Sequence, residues 1–86
     1  MWPWRETATT KDDEMSLTDY SRLVKALRQT RALTQEALAR EIGVSFSTLN
    51  KWENGRQRPQ PYLASRIVEL ARAAGLDPEE FTHADD

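Results

Sequence analysis

Apolar residues at helical spacing, in segments punctuated by glycines, constrain the fold of this chain more than any other feature. Tyr20, Leu23, Val24 and Leu27 recur at the i, i+3, i+4, i+7 positions that place side chains on one helix face. There are no strand signals and no internal repeats, and 86 residues make one compact domain rather than two. The sequence therefore predicts an all-α fold, a compact bundle of four to five helices.

Capping signals predict where the first two helices begin. Ser16, with Asp19 three residues later, resembles a capping box and opens a helix over 17–31. Thr34 is suited to N-cap a second helix that ends near Glu41.

Turn and capping signals also frame the third helix. Gly43 suits a sharp turn because it adopts a positive φ at low cost, and Ser45 follows as an N-cap. This helix carries Leu49 and Trp52 on its buried side and closes at Gly55, the expected left-handed cap.

The remaining signals divide the chain into three parts. Pro61 opens a fourth helix that ends at Gly75, and a short fifth helix follows Asp77-Pro78. We expect a disordered segment over 1–15, a helix-turn-helix domain over 16–75, and a short helix with an acidic tail over 76–86. The sequence does not decide what role Trp2 and Trp4 have.

Charge is distributed unevenly, although the chain as a whole has a net charge of −2. Residues 17–75 hold ten Lys or Arg and five Asp or Glu, a net charge of +5, whereas 76–86 hold five acidic residues and no basic one. The basic folded part is compatible with a nucleic-acid partner, although solvated surface charge explains it equally well.

Composition excludes several classes of function. There are no cysteines and one histidine, His83, so no catalytic triad, thiolate nucleophile or cysteine-based zinc site can be assembled, and we expect no enzyme, metal or cofactor. No apolar run approaches the roughly 20 residues of a membrane span, and the N-terminus lacks the apolar region of a secretory signal. The expectation is a soluble cytoplasmic protein with no membrane association.

Residues 34–59 form two short helices joined by a glycine-containing turn, which defines a helix-turn-helix. This segment resembles the phage repressor/Cro-type (Xre-type) family of DNA-binding domains, and with its flanking helices the resemblance covers 17–75. The resemblance implies a lambda repressor-like fold that binds double-stranded DNA. The matching residues are Thr34-Gln35-Glu36, Leu38-Ala39, Ile42-Gly43-Val44-Ser45, Thr48-Leu49 and Trp52-Glu53-Asn54-Gly55, followed by Arg56 and Pro59.

The third helix, about 45–54, has the properties of a helix that reads the major groove. Its edge opposite Leu49 and Trp52 is predicted to present four base-reading side chains. Phe46 is suited to contact the C5-methyl group of thymine, although it could instead fold back and extend the core. The four residues are Phe46, Ser47, Asn50 and Lys51.

Phosphate contacts are expected on both sides of that helix, from helix N-termini and from the polar connector after it. In the family that the segment resembles, the glutamine matching Gln35 binds a phosphate or braces a reading residue. The alternatives are a C-cap role for Asn54 and solvated charges for the arginines. The predicted set is Thr34, Gln35, Ser45, Thr48, Asn54, Arg56 and Arg58.

Arg28 and Glu53 match an ion pair that family members bury between the first and third helices. We expect this pair to be structural, since an unpaired buried charge costs several kcal/mol.

The leading hypothesis from these residues is a sequence-specific DNA-binding transcriptional regulator that works as a repressor and binds DNA as a homodimer. Leu76 and Phe81 are the candidate dimer surface, unless Phe81 closes the core. Two alternatives stay open: an antitoxin that also masks a toxin partner, and the controller of a restriction-modification system. A partner-masking role would involve Trp2, Trp4 and the acidic ends.

Overall fold

The computed structural model of the chain describes residues 15–82. Within this range the chain forms five α-helices and no strand, which confirms the predicted all-α fold. The predictions for 1–14, including Trp2 and Trp4, and for the acidic end at 83–86, including His83, lie outside the described residues. The helices are α1 (Leu17–Thr30), α2 (Gln35–Ile42), α3 (Phe46–Glu53), α4 (Pro61–Ala73) and α5 (Pro78–Thr82).

The predicted capping box opens α1. Ser16 Oγ accepts a hydrogen bond from the Asp19 backbone N–H at 3.1 Å, and Asp19 Oδ2 accepts one from the Ser16 N–H at 3.0 Å. Met15 precedes this box and is buried in the same core cluster as Tyr20, the arrangement of a hydrophobic staple. Met15, which was expected to belong to the N-terminal segment over 1–15, is therefore part of the core.

The chain leaves α1 through a left-handed residue that the sequence did not indicate. Ala32 has φ +56°, and the bonds from Ala32 N to Gln29 O and from Leu33 N to Arg28 O complete a Schellman motif. Alanine is uncommon in this conformation because its Cβ approaches the following carbonyl oxygen. The tight end of α1 turns the chain directly into α2.

The core lies where α1, α2, α3 and α4 meet, and α3 packs against both α1 and α2. Trp52 is 1% exposed, which confirms it as a core residue. Burial of each large side chain of this kind contributes about 1.5–3 kcal/mol. The completely buried large aliphatic residues are Leu23, Val24, Leu27, Leu38, Leu49 and Ile67.

The short helix α5 packs onto the bundle rather than extending away from it. Leu76 and Phe81 are partly buried against the core, and the guanidinium carbon of Arg22 lies 5.7 Å from the centre of the Phe81 ring. This placement favours the alternative in which Phe81 closes the core, and it leaves less apolar surface of these two residues for contact with a second copy.

None of the helices within residues 15–82 combines the length and the apolar character needed to cross a membrane.

Candidate nucleic-acid interface

The exposed edge of α3 is the candidate reading surface. Leu49 and Trp52 anchor the helix in the core, while Phe46 is 48% exposed on a different side. Ser47 and Lys51 are exposed as well, and Asn50 is half-buried. The half-exposed ring of Phe46 therefore does not extend the core, which was the alternative to a role in reading bases.

The helix N-termini use hydroxyl groups that were expected to reach phosphates. Thr34 Oγ1 accepts from the Ala37 N–H and Ser45 Oγ from the Thr48 N–H, each at 3.0 Å, so both residues are the predicted N-caps. Ser45 Oγ also donates to Thr48 Oγ1 at 3.0 Å. Within the described residues neither Thr34 nor Thr48 donates its hydroxyl proton, whereas that of Ser45 is engaged with Thr48.

Arg28 and Glu53 are paired as the resemblance implied. Arg28 Nε lies 2.7 Å from Glu53 Oε2, and Arg28 Nη2 donates to Glu53 Oε1 at 3.2 Å. Glu53 is 3% exposed and Arg28 26% exposed at the side chain. The hydrogen bond to Glu53 raises the pKa of Arg28 above its usual value, despite partial burial.

Ser21 is a second tie between α1 and α3 that sequence reasoning missed. Its hydroxyl donates to the backbone carbonyl of Glu53, and both residues are buried. This carbonyl lies at the end of α3, where it has no partner within the helix. A serine on the polar flank of an amphipathic helix carries no signal that could have predicted this contact.

The amide side chains continue the network from Glu53 to the surface of α3. Gln35 Nε2 donates to Glu53 Oε1 at 2.9 Å, and Gln35 Oε1 accepts from Asn50 Nδ2 at 3.4 Å. Asn54 Nδ2 donates to Asn50 Oδ1 at 3.0 Å. The i, i+4 spacing of Asn50 and Asn54 was a signal for the last contact, whereas the contact of Gln35 with Glu53 depends on the tertiary packing of α2 on α3.

The connector after α3 is turned outward at Gly55. This residue has φ +70°, and the bonds from its N–H to Trp52 O and from Arg56 N to Lys51 O complete a Schellman motif. Arg56 and Arg58 are both exposed immediately after the turn. Both cations therefore follow the reading surface directly in sequence and remain free of intramolecular ion pairs in the described structure.

The chain is similar to known helix-turn-helix proteins over most of its length. A family model described as a helix-turn-helix domain matches residues 19–84. An uncharacterized transcriptional regulator in the ATPase CF(0) region of Rhodospirillum rubrum is 41% identical over 58 residues, which cover 67% of this chain and 51% of that protein. An uncharacterized HTH-type transcriptional regulator of Methanothermobacter thermautotrophicus is 42% identical over 55 residues, covering 64% of this chain and 75% of that protein.

The chain thus spans about half the length of the Rhodospirillum relative. No solved structure matches the chain significantly.

Truncating either member of the Arg28–Glu53 pair is expected to destabilise the fold by about 3–5 kcal/mol, because the remaining charge is left in a largely buried site. The double Ala variant should cost less than the sum of the single variants. Chemical unfolding of the unmodified protein, the two single variants and the double variant measures the coupling free energy between Arg28 and Glu53.

The Arg31–Glu41 pair provides a matched control. Its atoms are 2.6 Å apart, but its side chains are 36% and 33% exposed. The same cycle there should give a coupling below about 1 kcal/mol. Equal coupling in the two pairs would contradict a special role for burial at Glu53.

Proposed function

Because the chain belongs to the helix-turn-helix domain family, we propose that it is a sequence-specific, double-stranded DNA-binding transcriptional regulator of the cytoplasm. Both relatives are named as transcriptional regulators, which supports this role. We further propose that it acts as a repressor, since a domain bound at a promoter excludes other proteins from the same DNA.

The observation that carries the proposal is the two-sided character of α3. An α-helix with its side chains is about 10–12 Å across, and the major groove is about 12 Å wide. One side of the helix is fixed in the core by Leu49 and Trp52, and the other presents Phe46, Ser47 and Lys51 to solvent. A helix held in this way can enter the groove without losing its anchorage.

Chemistry assigns a task to each reading residue. The hydroxyl of Ser47 can donate or accept, and the ammonium group of Lys51 donates to guanine O6 or N7. Phe46 contacts the C5-methyl group of thymine. Asn50 completes the reading set.

Phosphate contacts bracket this set in the proposed complex. On one side, the backbone N–H groups at the start of α2 and the hydroxyl protons of Thr34 and Thr48 face the DNA backbone. On the other side, Arg56 and Arg58 supply positive charge from the connector. The net charge of +5 over 17–75 supports this arrangement.

A single module covers one half-site, and we propose that two copies bind DNA with two-fold symmetry. The resulting site is a palindrome with half-sites about one helical turn apart. Leu76 and Phe81 are partly buried within the protomer, which makes them weaker candidates for the surface that joins the two copies.

Selection of bound duplexes from a random pool, followed by sequencing, tests the function and the symmetry together. We expect an enriched palindromic site that binds two copies at saturation. Enrichment of no sequence would overturn sequence-specific binding, and one copy on a non-palindromic site would overturn the dimer. A pull-down from lysate that captures a protein while no duplex is enriched would favour the antitoxin alternative.

Neutralising Arg56 and Arg58 should weaken binding to all duplexes about equally, because phosphate contacts carry no base information. The slope of log affinity against log salt should fall by roughly 0.9 for each lost contact and about 1.8 for the double Ala variant. Arg72→Ala, which removes an exposed arginine from the end of α4, is the control and should leave the slope unchanged. An unaltered slope in the double variant would exclude these phosphate contacts.

Loss of a reading residue should instead relax the choice of base at one position. Lys51→Ala is expected to reduce discrimination at one base pair, a guanine, by about 1–3 kcal/mol. Phe46→Ala should reduce the preference for thymine over uracil, which lacks the methyl group. Affinities for single-base variants of the selected site measure both effects.

Thermal melting of the same variants is the accompanying control for Phe46. Because its side chain is 48% exposed, Phe46→Ala should melt close to the unmodified protein. Tyr62→Ala removes another exposed aromatic ring, outside α3, and should keep the preference for thymine. A Phe46→Ala protein that melts far lower with intact base preferences would assign Phe46 to the core.

A further inference from the structure

Three side-chain hydrogen bonds join Glu53, Gln35, Asn50 and Asn54 in a row, and in each of them the donor is the residue farther from Glu53. A carboxylate only accepts hydrogen bonds, so Gln35 must turn its Nε2 group toward Glu53. Its Oε1 atom is then the one that faces Asn50, which must donate through Nδ2. Asn50 Oδ1 in turn faces Asn54, which donates. The negative charge of Glu53 therefore fixes the orientation of the three amides of Gln35, Asn50 and Asn54. We call this row of hydrogen bonds the amide relay.

Asn50 keeps unused hydrogen-bonding capacity within this relay. Its amide has two N–H donors and two oxygen lone pairs, and the relay uses one of each. One donor and one acceptor remain on a half-buried side chain of the helix proposed to enter the groove. Adenine presents the complementary pair in the major groove, with N7 as acceptor and N6 as donor.

We propose that Asn50 reads an adenine, and that Gln35 and Asn54 are positioning residues that hold its amide in the reading orientation. This assignment rests on the proposed function and adds the base that one residue selects. For Gln35 it selects, of the two roles that the resemblance implied, the bracing of a reading residue, and for Asn54 it replaces phosphate binding by the support of Asn50.

The fixed orientation determines the discrimination between adenine and guanine. Guanine offers two acceptors, O6 and N7, on the edge where adenine offers an acceptor and a donor. An amide free to turn exchanges its N–H₂ group and its oxygen, and donates to guanine as well. An amide held at both ends keeps its oxygen opposite N6 of adenine and meets guanine O6 with a second acceptor.

Gln35→Met removes both hydrogen bonds of Gln35 with a side chain of similar length and high helix propensity. The measured quantity is the ratio of affinities for the selected duplex with A·T or with G·C at the position that Asn50 reads. A bidentate contact corresponds to a ratio of about 5- to 150-fold, and Gln35→Met should reduce it several-fold. Gln29→Met, the same substitution at an exposed position of α1 outside the relay, should leave the ratio unchanged.

A double-variant cycle separates positioning from a direct or merely structural role. Asn50→Ala should abolish the A·T preference at that position. Adding Gln35→Met should then reduce it no further, because Gln35 acts through Asn50. Replacing the adenine by 7-deazaadenine, which lacks the N7 acceptor, should weaken binding of the unmodified protein and leave that of Asn50→Ala unchanged.

Asn54→Ala tests the other end of the relay at an exposed side chain and provides a folded variant if Gln35→Met does not fold. It should also lower the ratio. An undiminished ratio in folded Gln35→Met and Asn54→Ala, or an Asn50→Ala protein with its preference for A·T intact, would overturn the assignment. These outcomes require a selected duplex, so they differ from failure of the proposed function, in which no duplex is enriched.

Discussion

A buried carboxylate at the end of α3 is the constraint on which the rest of the structure depends. Glu53 is the last residue of α3, where the helix dipole is negative and disfavours an anion. It is 3% exposed, so water offsets little of this cost. Arg28 supplies the compensating charge and Gln35 a further donor, so the position of α3 is tied to both α1 and α2. The same charge sets the polarity of the amide relay.

This anchorage explains how so short a helix can present an ordered surface. Eight residues are too few to form a stable helix in isolation. Burial of Leu49 and Trp52 stabilises α3 from one side, and the ties to Ser21 and Arg28 fix its C-terminal end. Side chains on a helix held in this way lose less conformational freedom when they bind, and more of their interaction energy remains available for discrimination.

The sequence predicted the features that depend on local chemistry. The capping box at Ser16, the N-cap at Ser45 and the left-handed residue at Gly55 are properties of a few adjacent residues, and the structure confirms all three. Burial of Met15, packing of Phe81 and the contact of Gln35 with Glu53 depend on how distant elements meet, which periodicity does not encode. The exposed edge of α3 could be predicted because the spacing of Leu49 and Trp52 identified the buried edge.

The amide relay also accounts for a division of roles within the candidate interface. Gln35 is engaged at both ends of its side chain, so a phosphate contact through that side chain would compete with the bonds to Glu53 and Asn50. The side chains of Arg56 and Arg58 are exposed and are not held by such bonds, and their charges attract a DNA duplex of any sequence. In the proposed complex, affinity therefore derives mainly from the connector, whereas selectivity derives from side chains whose orientation is set by a charge in the core. If Asn50 reads a base as proposed, a substitution at Glu53 in the core would alter base choice although Glu53 does not contact the DNA.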